Sequence, residues 1–163
     1  MSIQPGYSME DWAAANLAHL RFLVEEEGSG VRAALLVTNC HGEPLEFCYT
    51  RADLPSGALW GLDAAHRRAV AVLALALFEA VKHPLDLALV LADEAPPDLF
   101  SSGPPVRYAV GLVDGAVDPP VSWLGTEPES SLAALLKLLT SRGRLLEPFE
   151  RAASGLEEAY AHG

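Results

Sequence analysis

A chain of 163 residues fits one domain, and with half of its residues hydrophobic it can bury a sizeable core. Its net charge of −11, with no basic run or stripe to offset it, repels phosphate backbones and anionic membranes. Nucleic acid and membrane are therefore not expected as partners, whereas a protein carrying a basic patch is compatible.

The first residues, MSIQPGYSMEDW, show neither a basic n-region nor an apolar h-region, so no secretory signal is read and a cytoplasmic location is the default. The longest apolar run, Ala69 to Phe78, falls short of the ~20 residues that span a bilayer. Two cysteines are too few for a disulfide scaffold. Abundant Ala, Leu, Pro, Glu and Arg, with two Lys, point to a GC-rich bacterial genome. The whole of 1–163 is read as a single domain, with residues 1–7 loose.

Ser8 followed by Asp11 resembles a helix N-cap with an acid three residues on, and predicts a helix to about Glu27 with Trp12, Ala15, His19 and Leu23 on one face. Glu25-Glu26-Glu27 is then a solvated, fraying helix end, broken by Gly28-Ser29-Gly30. Val31–Thr38 reads as a strand and Pro44–Thr50 as its return. Asn39 with Gly42 three residues later is favoured chemistry for the three-residue loop between them. That register sets Asn39 against Glu43, Val37 against Leu45 and Leu35 against Phe47.

The central element is a helix from roughly Leu59 to His83, stopped by Pro84 and started after Ser56 or at Asp63. Its core side holds His66, Val70, Leu73, Leu77 and Val81. Its charged side holds Arg67, Arg68, Glu79 and Lys82, with Val72 and Leu75 set among them. Leu85–Ala92 is a strand buried on both faces. Residues 95–105 form a Pro-rich loop, Val106–Val113 a strand, and Asp114-Gly115 a hairpin turn. The return, Ala116–Leu124, carries Pro119-Pro120 and is restricted to an edge. Thr126 and Glu129 form a capping box for a helix stopped at Gly143. Residues 144–163 add a C-terminal helical extension weakened by Gly155.

The expected fold is thus α/β, of the α+β sandwich kind. A mostly antiparallel sheet of about five strands carries the long central helix, with N- and C-terminal helices packed on it.

Chemistry-bearing residues are few. Cys40 beside His41 could form a thiol of lowered pKa, yet the register holds it far from Cys48, and no zinc spacing occurs. Asp93, Asp114 and Asp118 follow strand ends, where a Mg²⁺ site could form if they met. Phosphate-loop and nucleophile-elbow motifs are absent from the sequence. No catalytic residue, cofactor or metal is assigned. The interface candidates are Arg68, Val72, Leu75 and Glu79, because apolar residues rimmed by charge suggest a contact surface.

The stretch LRFLVEEEGSGVRAALLVTNCHGEPLEF resembles the roadblock/LC7 class of small α/β domains, related to profilin and longin folds. It matches their helix, Gly-Val entry into an apolar strand, and Gly turn before a second strand. That resemblance implies a non-enzymatic scaffold or regulator, dimerising through a helix and a strand edge and often serving small GTPases. A hairpin, a long helix and an apolar strand ending in Asp93 are also similar to the start of an RNase H-like domain. That chemistry wants a carboxylate on the first strand and a third hairpin strand, and the sequence offers neither. The expected function is a protein–protein interaction or regulatory scaffold module of a bacterial complex, its partner a small GTPase, another subunit or a second copy. A degenerate or metal-dependent RNase H-like domain is the alternative.

Overall fold

The computed structural model describes residues 14–26, 28–54, 61–96, 99, 109–124, 128 and 130–161. Three strands come first: β1 (Leu17–Val24), β2 (Gly30–Thr38) and β3 (Pro44–Asp53). Helix α1 (Leu62–Ala80) leads to β4 (Leu87–Leu91), β5 (Ala109–Val113) and β6 (Val121–Leu124). Helices α2 (Ser130–Ser141) and α3 (Glu147–Ala161) follow. The described strands form a single six-stranded sheet in the order β3-β2-β1-β4-β5-β6. It is mixed: β1–β2, β2–β3 and β5–β6 are antiparallel, and β1–β4 and β4–β5 are parallel.

The expected N-terminal helix is therefore corrected. Leu17–Val24 is a central strand, with β2 on one side and β4 on the other. The β2 ladder runs along its whole length, the β4 ladder reaches Leu20, and both of its faces are covered there. Ala18, Leu20 and Phe22 enter one core cluster, and Leu17 enters another. Ser8, Asp11 and Trp12, which suggested the helix start, lie outside the described residues, as do residues 1–7.

The β2–β3 turn closes as its sequence requires. The Asn39 N–H donates to the Glu43 carbonyl at 3.2 Å, and the Gly42 N–H donates to the Asn39 carbonyl at 3.0 Å. Asn39 Oδ1 accepts from the N–H groups of His41 and Glu43. Gly42 adopts φ 79°, which costs a glycine little. The strand register beyond the turn differs from expectation by one residue. An irregularity between Val37 and Thr38 pairs Val37 with Glu46 and Leu35 with Cys48. One inserted residue exchanges the two faces of a strand. Cys48 consequently packs with the α1-side core, while Phe47 turns to the opposite face.

Helix α1 covers one face, burying Val70, Leu73, Ala74 and Leu77 against residues of β1, β2 and β4. Helices α2 and α3 cover the other, setting Leu135, Leu136 and Phe149 against Leu17, Leu87, Leu89 and Val113. Helix α3 is thus part of a third layer on the sheet. Gly155 marks a close contact: a Cβ there would stand 3.0 Å from the Phe47 ring. Helix α2 ends as expected at Gly143, with the Gly143 N–H on the Thr140 carbonyl and the Arg144 N–H on the Leu139 carbonyl. Its expected cap, Thr126 with Glu129, lies outside the described residues, as do Ser56 and most of the 95–105 loop. Leu99 of that loop is buried in the α1-side core. The edge strand β6 follows Pro119-Pro120 and is four residues long.

Candidate functional site

Arg68, Val72, Leu75 and Glu79 of α1 are all exposed, Val72 at 47% and Leu75 at 36%. Arg67, Ala71 and Ala76 continue the exposed stripe. Helix α3 lies against the other face of the sheet and does not cover these residues. On the core side Val70, Leu73 and Leu77 are buried, and His66 and Val81 are half-buried. The stripe offers two branched apolar side chains between a basic end at Arg68 and an acidic end at Glu79.

The strand-end acids are partly brought together. Because β4 and β5 are parallel, Asp93 and Asp114 emerge at the same end of the sheet. They line one open cleft of about 390 Å³ with Arg21, Phe149 and Glu150. Asp118 is exposed and does not line this cleft. Asp114 Oδ1 accepts the Ala116 N–H and so serves its own turn. Among the described residues, no three His, Cys, Asp or Glu side chains come close enough to hold a metal ion.

Between these acids and β1 lies a pair that sequence reading missed. Arg21 Nε donates to both carboxylate oxygens of Glu94 at 3.0 Å, and Nη2 stands 2.9 Å from Oε2. The Phe22 N–H donates to Glu94 Oε1, and Arg21 Nη1 donates to the Phe149 carbonyl. Burial pushes the Glu94 carboxyl above the usual carboxylate range, against the pull of the Phe22 N–H and of Arg21. The signal that could have found it is Arg21 itself, a charge in the middle of a buried strand once residues 17–24 are read as one.

The acidic run after β1 is also corrected. Glu25 is no solvated helix end: it accepts from Arg32 Nε at 3.0 Å and from Arg51 Nη2 at 2.6 Å. The Arg51 guanidinium, hydrogen-bonded to it, holds its carboxyl below the ordinary range. This clamp ties the β1–β2 turn to the far end of β3.

Cys40 is half-buried and packs against the α2-side core, and Cys48 packs against the α1-side core. Burial pushes the Cys40 thiol up, opposite to the lowering that a neighbouring imidazole could give. Cys48 Sγ donates to Glu46 Oε2 at 3.4 Å and is likewise raised, first by burial.

A second open cleft, about 340 Å³, runs between the β2–β3 turn and the start of α3. Its lining includes His19, Thr38, His41, Arg144, Glu147 and Arg151. His19 is buried at 2% exposure, with Nδ1 3.2 Å from the Leu36 carbonyl and its ring edge-on to Phe149. Burial lowers its pKa to about 4, so the ring is neutral at pH 7. In that state Nδ1 carries the proton that Leu36 accepts. The sequence places His19 on a helix face; it is a satisfied core histidine on a strand.

No protein-family model and no curated protein matches this chain. Among solved structures, endonuclease V from Bacillus subtilis aligns with a TM-score of 0.35 and 13% identity, covering 47% of this chain and 31% of that one. A likeness of that size carries no argument about fold or activity. No helix among the described residues is long and apolar enough to cross a membrane.

Proposed function

We propose that the chain is a non-enzymatic protein–protein interaction or regulatory scaffold module, and that α1 presents its contact surface. The observation that carries this reading is the exposure of Val72 and Leu75 between Arg68 and Glu79 on a helix whose opposite side buries Val70, Leu73 and Leu77 in the core. The small-GTPase partner implied by the roadblock/LC7 likeness loses support, because the stretch carrying that likeness begins with a strand where a helix was expected. The test is capture of a partner by the purified chain, its identification by mass spectrometry, and reconstitution with the purified partner. Leu75→Glu should abolish binding in that reconstituted pair. Unchanged binding would overturn the reading.

One observation favours the second reading, an RNase H-like domain that has lost its chemistry. The missing third hairpin strand is present: β1, β2 and β3 form an antiparallel meander, followed by α1 and then β4. A metal does not fit the donors at the strand ends. The first strand, LAHLRFLV, has no carboxylate, and Glu94 is already engaged by Arg21 and the Phe22 N–H. Magnesium- or manganese-dependent nuclease activity that Asp93→Ala abolishes would restore the enzymatic alternative.

A further inference from the structure

The exposed stripe of α1 is complementary to itself when a second α1 is laid across it in the opposite direction. At about 100° per residue, Arg68, Val72, Leu75 and Glu79 fall within an arc of about 60°. Their positions are symmetric about the midpoint between Val72 and Leu75. A two-fold axis through that midpoint sets Val72 of one copy against Leu75 of the other, with Ala71 and Ala76 on the two flanks. It also sets Arg68 against Glu79, twice. Arg68 and Glu79 are both exposed, and among the described residues neither has an ion pair.

We infer that the partner of this face is a second copy of the chain, docked as an antiparallel α1–α1 pair with Val72 and Leu75 at its centre and reciprocal Arg68–Glu79 contacts at its ends. The inference rests on the reading of α1 as the contact surface and names its occupant. Charge order is what selects the occupant. The basic end of the stripe meets the acidic end only in the antiparallel arrangement, and a parallel pair would set like charges side by side. One helix stripe is small beside the roughly 1,600 Å² of a standard interface, so the dimer belongs to the weak class. Each copy carries a net charge of −11, so association requires enough salt to screen the rest of the surface.

The test is sedimentation velocity on the full chain in physiological salt, at concentrations on the order of 10 to 500 µM, where weak interfaces are read. The wild type should pass from monomer to dimer across that range. Arg68→Glu alone sets Glu against Glu, and Glu79→Arg alone sets Arg against Arg. Each variant should weaken self-association about tenfold or more. Mixed in equal amounts, the two variants should form a heterodimer, because each then offers the charge the other lacks. All the changed positions are exposed, and circular dichroism of each variant confirms that it is folded. A wild type that stays monomeric throughout, or a mixture that sediments as the sum of its parts, overturns the inference. If the wild type is monomeric while Leu75→Glu abolishes binding of a different reconstituted partner, the self-pair fails and the contact-surface reading stands. A dimer unaffected by Leu75→Glu and by both charge reversals overturns both.

Discussion

Arg21 and Glu94 lock the middle of β1 to the residues just past β4: the guanidinium spans both carboxylate oxygens at 2.9–3.0 Å while a third nitrogen reaches the Phe149 carbonyl. Both side chains are largely buried, at 16% and 14% exposure. Three parts of the fold meet there, since Phe149 belongs to α3. Removing only one partner strands a buried charge. Arg21→Met should therefore cost roughly 3 kcal/mol in urea unfolding. The double variant Arg21→Met with Glu94→Gln keeps an acceptor for the Phe22 N–H and should recover most of that loss. A double variant no more stable than Arg21→Met would show that the pair is not the cause.

His19 couples stability to acid. Its folded pKa is about 4, against 6.5 for the unperturbed ring, because burial disfavours the charged form. The unfolded chain therefore binds the proton more readily. Stability is full above pH 6.5 and is lost as the pH falls toward 4. The loss attributable to this group is on the order of 3 kcal/mol. Urea titrations at pH 7.0, 5.5 and 4.5 should show this decline. In His19→Leu the same series should be nearly flat over that window.

Glu46 organises the exit from α1. Its carboxylate accepts from the N–H groups of Lys82 and His83 and lies 2.6 Å from His83 Nδ1. These bonds, led by the one to His83, lower its pKa from 4.5 to about 2. The folded state binds this proton less readily than the unfolded one. Its stabilising effect is present above pH 4.5 and disappears as the pH falls through 2. Glu46→Gln should cost about 1.5–3 kcal/mol at pH 7, the range for hydrogen bonds to charged groups. Amide hydrogen exchange at residues 81–83 should accelerate in the variant.

Gly30 begins β2 where no side chain fits. A Cβ there would lie 2.5 Å from Glu25 Oε1, 2.6 Å from Arg51 Nη2 and 2.9 Å from the Ala52 carbonyl oxygen. The arginine can swing away, but the Ala52 backbone is held in the β2–β3 ladder. Gly30→Ala should destabilise by about 1–3 kcal/mol, the usual range for overpacking. It should also break the Glu25–Arg51 contact. Thermal unfolding of Gly30→Ala beside Arg51→Ala separates the steric from the electrostatic part.

Several elements could be read from the chain because their signals are local. The Asn39-to-Gly42 turn is written in one side chain's reach. Helix α1 declares itself by a two-sided wheel, α2 by its Gly143 stop, and β6 by the prolines before it. The interface candidates share this origin: once α1 is a helix with one side in the core, Val72 and Leu75 have no place except outside. The β2–β3 register was less accessible, because a single extra residue at Val37/Thr38 leaves no mark in composition and yet exchanges Phe47 for Cys48 in the α1-side core.

The residues of β1 show where local reading stops. LAHLRFLV is apolar enough to sit in a buried helix or a buried strand, and periodicity does not separate the two. An alanine-rich approach and an apparent cap favoured the helix. Tertiary structure decided otherwise, through the antiparallel ladder to β2 and the parallel ladder to β4, where Leu17 pairs with Leu87. Those ladders form only after distant segments have met. The same meeting brings Arg21 to Glu94, and Asp93 and Asp114 to one cleft. The Asn39-to-Gly42 turn, the two sides of α1 and the acidic surface could be read from the chain alone, since each follows from composition or from neighbours a few residues apart. Which strand lies at the centre, and which charges it buries, depended on partners far along the chain, 73 residues from Arg21 to Glu94 and 128 from Arg21 to Phe149.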